Sequence, residues 1–125
     1  MFDSSSPIYV QIAAQIRQDI VTGALGAGDQ VMSTTQYATF HRINPATAAK
    51  AFQELVDEGV IEKRRGIGMF VTDGAGERLR TQRRARFAAD VIAPAMAEAA
   101  RLGFTTDDVI RAVRAAAAEA RGAHE

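Results

Sequence analysis

The sequence predicts a mainly α fold of the α+β type: a winged helix-turn-helix over residues 1–72 and a two-helix region over residues 73–125. Three observations carry this. Apolar residues recur at helical spacing from Pro7. The stretch Ser33–Val71 then holds two capped helix starts, a helix-ending glycine and a glycine-tipped hairpin without a gap. After Val71 the composition changes, first to arginine-rich and then to alanine-rich sequence.

Each element follows in turn. Residues 1–6 are polar and expected to fray. Ile8, Ile12, Ile16, Ile20 and Val21 mark an amphipathic helix of about four turns that ends near Gly23. Leu25 to Asp29 reads as a turn, and Val31–Met32 as a short strand or the apolar approach to the next helix. Ser33 with Gln36 is a capping box, each side chain satisfying a backbone N–H of the other's turn. Tyr37, Ala38 and Phe40 are expected to point inward from this helix. Asn44 caps the next one, and Pro45 fits its first position because that N–H has no partner in a helix. Its buried stripe is Ala48, Ala51, Phe52, Leu55 and Val56, and Gly59 ends it as a left-handed residue. Val60–Ile61 and Met69–Val71 flank Arg64-Arg65-Gly66-Ile67-Gly68 as a hairpin.

Asp73 to Gly76 is expected to be a flexible joint. Leu79, Phe87, Val91, Ala95 and Leu102 then hint at a helical stripe, which Pro94 should kink by clashing with the carbonyl one turn back. The arginines from Arg78 to Arg86 read either as a solvated face or as a phosphate-binding or subunit seam. Leu102-Gly103-Phe104 is a Schellman ending, and Thr105 or Thr106 starts a last helix with Asp107 and Asp108 at its positive end. Its stripe is Val109, Ile110, Val113, Ala116, Ala117 and Ala120, with a tail expected from Gly122. Two such helices bury little area alone. A second copy of the chain, making a homodimer, is the expected cover; folding back on the winged helix is the alternative.

Composition narrows the function. With 47% hydrophobic residues the chain can build a core, and no run approaches the ~20 apolar residues of a membrane span. No membrane partner is expected, and without a signal-peptide pattern the expected location is cytoplasmic. The absence of cysteine removes disulfides and thiolate metal sites. His41 and His124 stand in no ligand pattern, and Gly66-Ile67-Gly68 precedes a strand rather than a helix, so it is no phosphate loop. No activated nucleophile or acid–base pair is visible, so neither an enzyme nor a metal or cofactor is expected. Residues 1–72 are not basic in total, but Arg42, Lys50, Lys63, Arg64 and Arg65 sit at the turn, the helix start and the wing. Asn44, Pro45, Ala46, Thr47 and Lys50 at the leading end, with Arg64, Arg65, Gly66 and Gly68 in the wing, point to double-stranded DNA. A winged-helix protein–protein adaptor is the alternative; it should present an apolar or acidic lead and wing, which this chain lacks.

These pieces together resemble the GntR family of bacterial transcription regulators. The resemblance covers roughly Ile8 to Val71 and rests on Gly28-Asp29, Ile43-Asn44-Pro45-Ala46-Thr47, Glu54-Leu55, Glu58-Gly59-Val60-Ile61 and Arg65 to Val71. Asn44-Pro45, Thr47, Ala49-Lys50 and the short tail are similar to the YtrA-like branch. It implies a dimeric, sequence-specific repressor of operator DNA, often governed by a small-molecule effector. It also places Ser33, Thr34 and Thr35 at the DNA. The family usually has Pro-Ser-x-Arg at the start of that helix; here Met32 replaces the proline and Thr35 the arginine. His41-Arg42 stands where a leucine-glycine turn is frequent, so Arg42 restores some of the missing charge. Any effector is expected beside Pro94.

Overall fold

The computed structural model describes residues 2–123. The elements are α1 (Ile8–Thr22), β1 (Gln30–Val31), α2 (Thr34–His41), α3 (Pro45–Asp57), β2 (Ile61–Arg64), β3 (Gly68–Val71), α4 (Ala75–Phe87), a π-helical segment (Ala88–Ile92), α5 (Ala93–Arg101) and α6 (Thr106–Ala123). They form two compact units, the first up to Gln82 and the second from Arg83.

In the first unit α1, α2 and α3 close over a small sheet of order β1-β3-β2, both pairings antiparallel. Ile12, Ile16 and Ile20 of α1 meet Ala48, Ala51, Phe52 and Leu55 of α3, with Ile61 and Val71 beneath. The anticipated caps form. Gly23 at φ 87° ends α1, Ser33 and Gln36 exchange hydrogen bonds, Asn44 Oδ1 accepts from Ala46 N–H at 2.7 Å, and Gly59 at φ 79° ends α3. Arg17 bridges α1 to the far end of α3 by pairing with Glu58 and Glu54, and its pKa is raised chiefly by the hydrogen bond to Glu58, with Glu54 adding less.

Several expectations are corrected. Residues 2–6 are tied down: Gln11 accepts from Asp3 N–H and donates to the Asp3 and Ser6 carbonyls, and Phe2 packs on the core. Phe40 faces outward, 69% exposed, because Tyr37 and Ala38 already fill the inward face of this short helix. Asp73 to Gly76 is no flexible joint: Ala75 N–H closes a turn onto Thr72, and α4 begins there with Ala75 buried. The first compact unit therefore runs past residue 72, since Ala75 and Leu79 complete its core.

In the second unit the α-helical ladder is interrupted just before Pro94. There Ala93 N–H donates to the Ala88 carbonyl, five residues back, rather than to that of Ala89 four back, the π-type adjustment that takes up the proline's missing bond. The Schellman ending forms, with Phe104 N–H on Ala99 and Gly103 N–H on Ala100. Thr105 and Asp108 make a reciprocal cap for α6. That helix continues to Ala123, so Gly122 is helical rather than tail. Val109 is half-buried, while Ile110, Val113, Leu102 and Phe104 stay exposed within this unit. No helix among the described residues is long and apolar enough to cross a membrane. His124 lies outside the described residues.

Candidate nucleic-acid interface

The start of α3 is shaped by its own sequence. Asn44 and Pro45 set the first turn, which carries no acid, and the unpaired N–H groups leave partial positive charge there. Asn44, Pro45, Ala46, Ala49 and Lys50 are exposed and Thr47 is half-buried. The acids of α3 lie at its other end, Glu54 within the Arg17 bridge and Asp57 accepting from Gln53 at 2.8 Å.

Lys50 departs from the simple picture of a free lysine on the leading face. Its Nζ sits 4.1 Å from the Tyr9 ring centroid of α1. A cation over an aromatic face gains about 0.5–1 kcal/mol at an exposed site, enough to bias its direction without fixing it. The α3 face toward α2 and the wing is instead Ala49 and Gln53. With Ser33, Thr34, Lys63, Gly68 and Met69 they line one hollow of about 370 Å³. Gln53 and Lys63 are thereby brought beside Ser33, Thr34 and Gly68, and the one-turn spacing of residues 49 and 53 puts both on this face.

Thr35 is exposed on the first turn of α2. Arg42, at φ 54° and ψ 49°, is the one non-glycine residue with positive φ among those described. Its N–H bonds back to Thr39 and that of Ile43 to Ala38, so the turn between α2 and α3 is a Schellman ending with arginine at the left-handed position. His41 is half-buried among aromatic rings, 4.2 Å from the Tyr37 centroid and 4.9 Å from that of Phe40. Among the described residues no group of His, Asp and Glu could hold a metal.

In the wing, Ile67 N–H bonds to the Arg64 carbonyl at 2.9 Å, and Gly66 supplies the positive φ such a turn needs at its third residue. Arg64 and Arg65 differ. Arg64 lies over the Phe70 ring, 4.2 Å from its centroid, and pairs with Glu62 at 3.2 Å. Arg65 is not a strand residue; it stands exposed in the turn, with no hydrogen bond or ion pair among the described residues. Farther along, Arg78 donates to the Gly59 carbonyl at 2.6 Å and Arg80 to that of Val21 at 3.1 Å. These two arginines cap the negative ends of α3 and α1, so they belong neither to a purely solvated face nor to a seam.

Comparison with known proteins fits this geometry. The model of the bacterial regulatory proteins of the gntR family matches residues 8–71. The chain is 40% identical over 72 residues to the HTH-type transcriptional repressor YtrA of Bacillus subtilis, a match spanning 58% of this chain and 55% of that one. It is 29% identical over 113 residues to the HTH-type transcriptional regulator YhcF of the same organism, covering 90% of this chain and 92% of that one. A GntR family transcriptional regulator from Listeria monocytogenes superposes with a TM-score of 0.74 at 33% identity, over 90% of this chain and 97% of that structure.

Proposed function

This chain belongs to the GntR family of bacterial regulatory proteins, and from that premise we propose that it is a cytoplasmic, YtrA-like transcriptional repressor that binds operator DNA as a homodimer. The observation that carries the reading is the capped, acid-free start of α3, set beside the start of α2 and an arginine-tipped wing. In this reading α3 enters the major groove N-terminus first. Thr47 meets base edges, and Lys50, steered by Tyr9, meets a flanking phosphate. Ser33, Thr34 and Thr35 approach the same groove, Arg42 a phosphate beside the turn, and Arg65 with Gly66 and Gly68 the minor groove next to it.

The second unit supplies the dimer contact. Its exposed Phe87, Val91, Leu102, Phe104, Ile110 and Val113 are more apolar surface than a small unit leaves to water. The α5–α6 hollow of about 250 Å³, lined by Ala95, Ala99, Leu102 and Val109, is the place in this unit for a small effector. Selection from a random-sequence duplex library, followed by sedimentation of the chain alone and on the enriched duplex, tests this. An enriched two-fold symmetric site bound by a dimer is the expected result. Absence of any enriched sequence would return the fold to an adaptor role.

A further inference from the structure

On the outer face of the sheet, Gln30 of β1 stands opposite Phe70 of β3. Its side chain runs along β3 toward the wing tip, where Nε2 donates to the Ile67 carbonyl at 3.2 Å. The path crosses Gly68, where a Cβ would lie 2.6 Å from that same Nε2. Gly68 therefore serves two needs at once: a φ of 140° that other residues rarely adopt, and an open channel for the glutamine. From the other side Arg64 lies over Phe70, so the tip turn is gripped from both neighbouring strands.

We infer that Gln30 is a positioning residue for the wing, fixing the tip that presents Arg65. Gln30 lies three residues before Ser33, the cap of α2. Its hydrogen bond thus links the wing tip to the same short segment that places the helix-turn-helix, setting the distance between the two contacts with DNA. A free two-stranded hairpin tip is mobile, and ordering it before binding removes a cost of association. The inference rests on the DNA-reading assignment above and deepens it.

The test uses the full chain and the duplex it enriches from a random-sequence library. Gln30→Met keeps the length of the side chain and removes the donor. It should weaken binding about three- to tenfold, the loss one hydrogen bond carries, and erase hydroxyl-radical protection at the minor groove flanking the site. Protection at the centre of the site should hold, and the thermal midpoint should fall by no more than the few degrees one hydrogen bond carries. Gly68→Ala should cost less affinity in a Gln30→Ala background than in the wild type, because the clash partner is gone. Wild-type affinity and an intact flanking footprint in Gln30→Met would overturn the inference while leaving the DNA-reading assignment standing. Equal cost of Gly68→Ala in both backgrounds would also overturn it. A wild-type chain that enriches no sequence would remove the assignment itself.

Discussion

Arg42 gives the sharpest separation of stability from binding. Holding an L-residue in the left-handed region costs about 1–2 kcal/mol, and Arg42 is held there at φ 54° by the turn between α2 and α3. Glycine escapes that cost but brings back about 0.4–1 kcal/mol through a more flexible unfolded chain. Arg42 is exposed, so little side-chain packing is lost. Arg42→Gly should therefore stabilise the fold by about 0.5–1 kcal/mol, a rise of a few degrees in Tm for a unit this small. DNA affinity should move the other way. Losing one phosphate contact should reduce the slope of log affinity against log salt by about 0.9 in magnitude. Urea unfolding and filter binding across a salt series measure the two effects, and Arg42→Lys, which keeps both strain and charge, should resemble wild type in both. A destabilised Arg42→Gly would refute the strain reasoning, and an unchanged salt slope would refute the phosphate contact.

Leu79→Ala should destabilise the first unit by about 2–4 kcal/mol, because α4 closes that core; a chain ending at Gln82 should then unfold at clearly higher urea than one ending at Asp73. Thr72 Oγ1 is buried with no hydrogen-bond partner among the described residues, so Thr72→Val, nearly isosteric, should raise stability by about 1 kcal/mol in the same unfolding assay. Burial first, and Asp19 second, raise the pKa of Tyr37. Its folded form therefore holds the proton longer than the unfolded form, which titrates near 10. Stability is unaffected below about pH 10 and falls as pH rises through and beyond it. Alkaline denaturation of Tyr37→Phe should be shallower than that of the wild type.

What could be read in the sequence was what neighbouring residues decide. Ser33 with Gln36, Asn44 with Pro45, and Gly103 each settle a helix end within a few positions, and all three ends form as expected. What stayed hidden depends on distant partners. Arg80 looks like one of several arginines until Val21, 59 residues earlier, offers it a carbonyl. Lys50 reads as a free cation until α1 brings Tyr9 beneath it. β1 is only two residues long and is defined by β3 rather than by its own pattern. Phe40 misled because helical spacing names two faces of an eight-residue helix and does not say which one the core meets.

The central claim is that the start of α3 reads base sequence, and selection with Thr47→Ala beside the wild type tests it most directly. The account predicts that the variant enriches a related site with one position per half-site relaxed, at a cost of about 1–3 kcal/mol for the preferred base. An identical enriched sequence, bound as tightly by the variant as by the wild type, would contradict it.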